Sequence, residues 1–415
     1  MGAVHGAIGG SRRGATAAGA LLLLAGSAWG QANLPPGPGR DVVAAKCYAC
    51  HAFEARVGNG YTSEGWDTVL RMMRNQGAPL TADEVAQIRP YLVANFPEKN
   101  KVPAVIVPGP LQVNMQSFQV ATPGSRPHDP LATRDGAVWY TGQMSNVLGR
   151  VDPKSGQVRE FALKTPHSGP HGLVEDRAGN IWYTGNTGSL VGRLDPRSGT
   201  VTEYPMPEGK TDPHTLAFDR DGILWFTLQN ANQVGRLNRT TGELKFVTMP
   251  TPGARPYGMA FDPRGMLFVV EFGTNGIALI NPATMAVREF KLPDAGARPR
   301  RIAITPDNKV WYTDYARGTL GRLDPASGEV KEWLSPSGAG SAPYGISAIG
   351  DTLWYSESES SPNTVVHFDP ASEKFQSWPI PGGGKIVRNT SVTSEGNLVL
   401  ANSLADTVTV VTIPR

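Results

Sequence analysis

"GPHGLVEDRAGNIWYTGNTGSLVGRLDPRSGTVTEYPMP", residues 169–207, contains four short runs rich in apolar and β-branched residues, separated by tight turns. The turn sequences DRAG and DPRSG carry the aspartate, proline and glycine residues that favour β-turns. Short runs bounded by such residues are typical of β-strands. The stretch therefore predicts a unit of four short strands.

The unit recurs along the chain. Seven copies align on the residue that follows the first proline of the unit, or on its equivalent in the last copy: His128, His171, His214, Tyr257, Arg300, Tyr344 and Arg388. Consecutive members of this set are 43 or 44 residues apart. A second landmark, aromatic in all but the last copy, falls in the next run: Trp139, Trp182, Trp225, Phe268, Trp311, Trp354 and Val399. A period of this length with four strands per unit predicts an all-β, seven-bladed β-propeller.

The two ends of the repeat array predict how the ring closes. The last copy stops at DTVTVVTIPR, which matches only the third strand of the unit, whereas MQSFQVATPG before the first copy matches the fourth. We therefore expect residues 116–120 to complete the last blade as its outer strand. Closure of this kind hides most of the strand edges of the ring.

Composition narrows the function classes. The chain has 48 glycines, 35 prolines and only 18% charged residues, which suits short strands and many turns. Its net charge of +3 argues against nucleic acid as the main partner. Cys47 and Cys50 are its only cysteines, so a hydrophobic core and ring closure must provide the stability.

The N-terminus has the features of a cleavable signal peptide. Arg12 and Arg13 precede an apolar stretch through Leu21–Leu24, and small residues follow. We assign residues 1–30 to a signal peptide and expect the mature protein in the periplasm. No later segment is long and apolar enough to predict a membrane span.

"AAKCYACHAF", residues 44–53, contains both cysteines and an adjacent histidine. A zinc site usually needs a second pair of ligands at similar spacing, and the chain has none. A redox dithiol remains an alternative, but C-x-x-C-H is typical of c-type haem attachment. The sequence predicts one covalent haem c on Cys47 and Cys50, with His51 as an axial iron ligand.

Residues 33–97 predict a small all-α domain. One apolar face is spaced i, i+3, i+4 and i+7, as expected for a helix: Trp66, Val69, Leu70 and Met73. Thr81 and Glu84 form a capping-box pattern at the start of a further helix. Residues 98–111 are rich in proline and predict a linker to the propeller, residues 112–415.

The CxxCH helix, the middle helix and the C-terminal helix together resemble a class I c-type cytochrome. That resemblance implies a methionine as the sixth iron ligand. We favour Met73 over Met72 because Met73 shares the face of Trp66 and Leu70. The alternative, that both methionines fill the core, stays open.

The first strand of each propeller blade lines the central channel. The aligned residues should therefore form a ring near its mouth, with His128, His171 and His214 on one side. Three residues after the second landmark, the late blades carry Glu271, Asp314 and Glu357, which we expect to pair with Arg300 and Arg388. We predict a substrate-binding or catalytic mouth formed by five residues: His128, His171, His214, Glu271 and Glu357. Two alternatives remain: a divalent metal on the three imidazoles, and histidines that only stabilise turns.

The repeat wording "RPYGMAFDPRGMLFVVE", "GPHGLVEDRAGNIWYTG" and "VGRLDPRSGTVTEYPMP" resembles the virginiamycin B lyase, or streptogramin lyase, family. The resemblance implies the propeller fold and a site at its mouth. Members of that family open the ester of a cyclic antibiotic by elimination, with magnesium, a glutamate and histidines in two adjacent late blades. The corresponding positions here carry Arg300 and Tyr344, while Glu357 or Glu359 stands near the family's glutamate.

Together these features predict a periplasmic c-type cytochrome fused to a lyase-like propeller. We expect an electron-transfer protein or oxidoreductase with a periplasmic redox partner and a small-molecule site at the propeller mouth. One alternative is a C–O lyase with a relocated site. Another is a non-catalytic scaffold that positions the cytochrome.

Overall fold

A computed structural model describes residues 34–49, 53, 57, 60–99 and 101–414. The predicted signal peptide, Cys50 and His51 lie outside these residues. Within the described part of the chain, no helix has the length and apolar character needed to cross a bilayer.

The described residues of the N-terminal part include three short helices: α1 (Arg40–Cys47), α2 (Ser63–Asn75) and α3 (Ala82–Asn95). The capping box predicted for α3 is confirmed. The Glu84 backbone N–H donates to the Thr81 hydroxyl, and the Thr81 backbone N–H donates to the Glu84 carboxylate. This reciprocal pair satisfies two N–H groups that a helix start leaves unbonded.

The three helices enclose a small apolar core. Trp66 and Leu70 on α2 pack with Val43 of α1 and with Tyr91 and Leu92 of α3, and all five are buried. Trp66, Val69 and Leu70 of the predicted apolar face of α2 therefore pack inward, whereas Met73 of that face is not part of this core.

The rest of the chain is a seven-bladed propeller of four-stranded antiparallel sheets, as predicted. In blades 1–6 the strands run from the channel outward in chain order. Blade 1 is Pro127–Ala132, Val138–Gly142, Val147–Val151 and Val158–Ala162. Blade 2 is Pro170–Glu175, Ile181–Gly185, Leu190–Leu194 and Val201–Pro205. Blade 3 is Pro213–Phe218, Leu224–Leu228, Gln233–Leu237 and Leu244–Thr248.

The later blades follow the same plan. Blade 4 is Pro256–Phe261, Leu267–Glu271, Gly276–Ile280 and Val287–Lys291. Blade 5 is Pro299–Ile304, Val310–Asp314, Thr319–Leu323 and Val330–Leu334. Blade 6 is Pro343–Ile349, Thr352–Glu357, Thr364–Asp369 and Lys374–Pro379. Blade 7 is Val387–Val392, Leu398–Asn402 and Thr407–Thr412, with Asn114–Gln119 as its outer strand.

Ring closure by the N-terminal strand is confirmed. Asn114 pairs with Thr412 and Gln119 with Thr407 in an antiparallel register, so the strand begins two residues before the predicted start. The hydroxyls of Ser117 and Thr409 lie 2.8 Å apart across this pair. The two ends of the propeller are thus joined by one continuous ladder.

The landmark tryptophans form the packing layers between blades. Trp182 is 1% exposed, and its ring stacks on Tyr204 with centroids 5.6 Å apart. Its indole N–H donates to the Asp176 carboxylate over 2.9 Å, so the one polar atom of the ring is satisfied. Four other landmark tryptophans are buried in the same way: Trp139, Trp225, Trp311 and Trp354.

A threonine on the second strand ties neighbouring blades together. The Thr184 hydroxyl accepts from the Gly172 backbone N–H of its own blade and donates to the His214 carbonyl of the next. The same bridge recurs at Thr141, Thr227 and Thr313. Because each bridge fixes the inner strand of the following blade, it also fixes the height of the channel residue there.

The predicted linker is not a free tether, because it runs along blade 6. Val102–Pro103 pairs in parallel with Ser360–Ser361, and the Val107 N–H donates to the Ser377 hydroxyl over 2.8 Å. The Leu111 N–H then donates to the side-chain carbonyl of Gln376. These bonds hold the chain between the helices and the closing strand.

We expect Trp182→Ala to lower the free energy of unfolding by about 3–5 kcal/mol, since it removes a large buried side chain and leaves Asp176 without its indole donor. Leu334→Ala is the control, because Leu334 is 58% exposed and its truncation should change stability by about 0.5 kcal/mol or less. Denaturant unfolding monitored by circular dichroism measures both. Equal losses in the two variants would contradict a core built on the tryptophans.

Candidate functional site

A β-bulge follows the first residue of every inner strand. In blade 2, Pro170 pairs with Gly185 and Leu173 with Tyr183, so the inner strand holds one extra residue between these pairs. The same irregularity occurs in the other six blades. A bulge bends the strand and re-aims its side chains. The aligned residue and the one after it lie within each bulge, which is why contacts from both converge on the channel.

The structure places the three predicted histidines side by side at the channel mouth. The ring centroids of His128 and His171 lie 3.8 Å apart, and those of His171 and His214 lie 3.7 Å apart. Tyr257 continues the series at 4.0 Å from His214. All four side chains are buried, at 4% exposure or less. Their role in binding or catalysis stays a prediction.

The opposite side of the mouth holds tyrosine and arginine. The hydroxyls of Tyr257 and Tyr344 lie 2.5 Å apart, although the residues belong to blades 4 and 6. The guanidinium of Arg300, from the blade between them, lies 4.0 Å from the ring centroid of Tyr344, 4.2 Å from that of Tyr315 and 4.6 Å from that of Phe272. Such contacts stabilise a desolvated cation through the ring quadrupoles.

A second layer closes the channel below the histidines. Nη2 of Arg301 donates to Oδ1 of Asp129 over 3.0 Å, although the two residues lie in blades 5 and 1. Nη1 of Arg301 donates to the Thr215 hydroxyl, and Nδ2 of Asn389 donates to Oδ2 of Asp129. Arg301 and Asp129 are both buried. These four side chains form a hydrogen-bonded floor across the channel, which we call the channel floor.

Sequence reasoning missed the channel floor, although the repeat contains a signal for it. The residue after each aligned position is polar in the odd blades and glycine in the even ones: Asp129, Gly172, Thr215, Gly258, Arg301, Gly345 and Asn389. A Cβ on Gly258 would lie 2.8 Å from the carbonyl oxygen of Arg300. Glycine in the even blades therefore lets the inner strand of the next blade approach closely, while the odd blades supply the polar side chains of the channel floor.

The three histidines are neutral near pH 7. Burial lowers the pKa of His128 well below its usual value, and the guanidiniums of Arg388, Arg126, Arg301 and Arg300 lower it further. Burial likewise lowers the pKa of His171 and of His214. Protonating any of them would add a positive charge to a site that already holds several.

The hydrogen bonds of the histidines differ. Nδ1 of His128 lies 2.8 Å from Oδ1 of Asp129, and Nδ1 of His214 lies 3.1 Å from the Thr215 hydroxyl. Nδ1 of His171 is buried and has no hydrogen-bond partner among the described residues. The Thr215 oxygen already accepts from Arg301, so its own proton is available to Nδ1 of His214. That tautomer directs an N–H from Nε2 of His214 away from the channel floor.

A divalent cation fits this cluster poorly. Donor atoms of His128, Asp129 and His171 lie within 4.8 Å of one another, close enough to share an ion. However, the only carboxylate of that set is already bound by Arg301. A cation would have to displace this guanidinium and would meet the positive field of Arg300 and Arg388.

The expectation that the late-blade carboxylates pair with Arg300 and Arg388 is wrong. Glu357 accepts from the hydroxyls of Ser335, Ser337 and Thr364 within its own part of the ring. Asp314 accepts from three backbone N–H groups, those of Arg298, Ala316 and Arg317. The last side chain of the second strand thus bonds the adjacent turns, because only the inner strand reaches the channel.

Glu271 is also held within its blade. Oε2 accepts from the Thr274 hydroxyl over 2.9 Å, and Gly276 opposite provides the space, since a Cβ there would overlap the carboxyl group. Burial raises the pKa of Glu271 to about 8, and the neighbouring Glu289 contributes to the rise. Glu289 itself accepts two hydrogen bonds from Thr251.

The helical part docks on the face of the propeller that carries the mouth. Nδ2 of Asn75, at the end of α2, donates to the Pro123 carbonyl, and Nε2 of Gln76 donates to the Met144 carbonyl over 2.8 Å. These loops lie at the end of blade 1 where its inner strand begins and its second strand finishes. Because that end also holds His128, the helices and the mouth share one face.

The described residues among those predicted to bind haem lie in the helical part. Cys47 ends α1 and packs half-buried against the apolar core, where burial raises the pKa of its thiol to about 11. Met73 is half-buried on α2. Met72 is 3% exposed and lies one helical turn from Asn75, on the side of α2 that docks with the propeller. The thiol of Cys47 and the thioether of Met73 are of the types that bind a haem and its iron.

The fold and this repeat identify the family. The sequence pattern of the virginiamycin B lyase family matches residues 98–364, more than half of the 415-residue chain. The chain belongs to the virginiamycin B lyase family. A comparison with curated proteins found no match.

Solved structures of virginiamycin B lyases share the propeller. A streptogramin B lyase is 23% identical, with a TM-score of 0.67, and the match covers 73% of this chain and 98% of that one. Virginiamycin B lyase from Staphylococcus aureus is 22% identical, with the same TM-score, and the match covers 73% of this chain and 100% of that one. Hydrazine synthase from Kuenenia stuttgartiensis is 14% identical, with a TM-score of 0.59, over 70% of this chain and 96% of that one. At these identities the likeness shows the fold alone.

We expect Glu271→Gln to remove a pH dependence of stability. The folded pKa of about 8 lies above the ordinary 4.5, so the folded protein keeps a proton that the unfolded chain releases between these values. The free energy of unfolding therefore falls as pH rises through this window. The amide mimics the protonated carboxyl, so the variant should match the parent at about pH 5 and exceed its stability at about pH 9.

Thermal unfolding across this pH range measures the effect. The exposed Glu329→Gln removes the same charge elsewhere and should leave the profile of the parent unchanged. Superimposable profiles for the parent and Glu271→Gln would show that Glu271 is not held protonated.

Proposed function

We propose that this chain is a periplasmic c-type haem protein that transfers electrons to or from a small molecule, or a docked partner, at the mouth of its propeller. The observation that carries the proposal is the C-x-x-C-H sequence of residues 47–51, placed in a helical part that docks on the mouth face. A haem gives no advantage to an ester elimination, which favours a redox role.

The residues of the helical part have separate tasks in this proposal. Cys47 and Cys50 would hold the haem covalently, and His51 and Met73 would bind its iron. When bound, the haem supplies one-electron oxidation and reduction. The apolar core around Trp66 excludes water from its surroundings, and a low-dielectric setting tunes the reduction potential.

Docking keeps the helical part in one place relative to the mouth. Met73 lies two residues before Asn75, whose amide bonds the loop that leads into Pro127 and His128. Gly77 lies beside the imidazole of His167, where a Cβ would be 3.7 Å away. Contacts on both blades 1 and 2 favour a constant distance between the ligand-bearing helix and the histidines.

Family membership favours a second candidate, a C–O lyase whose site has moved. The neutral histidines of blades 1–3 could accept a proton, but Gly142, Gly185 and Leu228 stand at the second-strand positions of those blades. A lyase of this type should open a streptogramin B ester without haem. A propeller that only positions the cytochrome would do neither reaction.

We expect one haem to be bound covalently. Mass spectrometry of denatured protein, made in cells with haem-attachment machinery, should show the chain mass increased by one haem. The Cys47→Ala, Cys50→Ala double variant is the control and should show the bare chain. If the parent protein shows the mass of the chain without haem, the proposed function is excluded. If the haem is present, visible spectroscopy after the addition of candidate periplasmic reductants tests whether it is reduced.

We expect Met73→Ala to abolish the far-red absorption band of a sulfur–iron bond and to lower the reduction potential, because thioether ligation raises it. Met72→Ala is the matched control and should keep the band, since Met72 faces the docking contact. Visible spectroscopy and redox titration of both variants decide between them. Loss of the band only in Met72→Ala would reassign the ligand.

A further inference from the structure

The mouth carries more positive charge than its own residues neutralise. Four guanidiniums lie close enough to His128 to lower its pKa: those of Arg388, Arg126, Arg301 and Arg300. The Asp129 carboxylate is the only acidic group in the channel floor, and Arg301 already binds it over 3.0 Å. Glu359, a carboxylate whose charge acts on Tyr315, lies 3.9 Å from Lys101. The described residues contain no ion pair between a carboxylate and the guanidinium of Arg300 or Arg388.

Two of these guanidiniums also have free hydrogen-bonding capacity. Nε of Arg300 and Nε of Arg388 are buried, and neither has a hydrogen-bond partner in the part of the chain that the structure describes. Arg300 packs against the rings of Tyr315 and Tyr344, and the hydroxyl of Tyr257 is a polar neighbour of its guanidinium. A buried N–H on a charged group that is left unbonded costs free energy, so an acceptor at this place would be stabilising.

The geometry points to a binding site for a small oxyanion or carboxylate at the propeller mouth, between the guanidiniums of Arg300 and Arg388 on one side and the imidazoles of His128, His171 and His214 on the other. Guanidinium N–H groups match the oxygens of such anions. The channel floor closes the site from below, so a ligand enters from the face that carries the helices. This inference names the class of substrate that the mouth binds. That the bound anion reacts rests on the proposed function, whereas its binding does not.

The neighbouring phenols suit such a ligand. Tyr344 stands between Arg300 and Arg388 in the ring, and its hydroxyl lies 2.5 Å from that of Tyr257. Burial alone would raise the pKa of Tyr344, but the guanidiniums of Arg300, Arg388 and Arg301 outweigh it and lower the pKa. The same positive field that favours a tyrosinate here also favours an external anion.

The field also separates this inference from a metal site. A cation on His128 and His171 would have to compete with Arg301 for Asp129. An anion needs no such displacement and instead compensates charge that is already buried. A cation and an anion therefore cannot both be the ligand of this cluster, and a binding experiment with each distinguishes them.

Isothermal titration of the full-length holoprotein with sulfate and with acetate, at low ionic strength, tests the inference. Both probes are redox-inert, so binding is measured apart from any reaction. Arg388→Gln and Arg300→Gln should each weaken binding by about tenfold or more, as expected for loss of a hydrogen bond to a charged group. Arg388→Lys should restore part of the affinity, because it returns the charge without the planar fork.

Arg322→Gln is the matched control. Arg322 lies in blade 5 like Arg300, its guanidinium is 5.9 Å from two tryptophan rings, and its Nε is likewise unbonded, but it sits on the third strand away from the channel. Its loss should change the affinity by about twofold or less, as for a distant charge in screened solution. Circular dichroism shows whether each variant is folded. If Arg300→Gln does not fold, Arg388→Gln still tests the inference.

Three results would overturn the inference. In the first, the parent protein shows no saturable binding of either anion. In the second, Arg322→Gln weakens anion binding as much as Arg300→Gln or Arg388→Gln does. In the third, the parent protein binds Zn²⁺ saturably, loses this binding in His171→Asn, and binds no anion. The haem mass measurement is independent of all three. If the protein carries no haem but binds the anions, the proposed redox function is wrong and this inference stands. If the holoprotein binds neither anion, only this inference is wrong.

Discussion

The pairing of Asn114–Gln119 with Thr407–Thr412 is the constraint on which the rest of the structure depends. Seven sheets stay in a ring only if the last blade is completed, and the strand that completes it comes from the N-terminal side of the first blade. The chain before that strand must therefore approach the ring at blade 7. The hydrogen bonds of residues 102–111 to blade 6 and the docking of α2 on blade 1 lie on either side of that point. The closing strand begins at the end of blade 7 remote from the mouth, so residues 102–111 carry the chain along blade 6 from the face that holds the helices.

Within the ring, the channel is organised by the contact between Arg301 and Asp129. Buried ion pairs are weak contributors to stability, because both charges lose their hydration. Here the pair also orders its neighbours: Thr215 and Asn389 bond to it, and His128 lies against Asp129. Its second consequence is electrostatic. Asp129 binds Arg301 and so does not neutralise Arg300 or Arg388, and burial together with these guanidiniums keeps the histidines neutral.

The virginiamycin B lyase family supplies the scaffold, and the residues at the mouth decide what the scaffold does. One fold hosts many functions, so the shared propeller says little about the reaction. The inner-strand bulges offer the same positions in every blade, and in this chain those positions hold imidazoles in blades 1–3 and guanidiniums in blades 5 and 7. A helical part docked beside these positions brings a second set of residues to the same face. The mouth residues and the docked helices come from different parts of the chain, so a single repeat does not contain both.

The sequence by itself determined the propeller, its seven blades, the closing strand and the buried tryptophans, because each depends on a pattern repeated every 43 or 44 residues. It also determined that three histidines occupy equivalent positions. Only the tertiary structure decided what surrounds them. Arg301 and Asp129 are 172 residues apart in the chain and meet because the ring brings blades 5 and 1 across one channel. Glu271, Asp314 and Glu357 share a repeat position too, yet they bond turns instead of the channel, because a strand pattern gives the face of a side chain but not its distance from the axis. The charge at the mouth and the burial of its side chains depend on residues from all seven blades, so the sequence of a single repeat does not predict them.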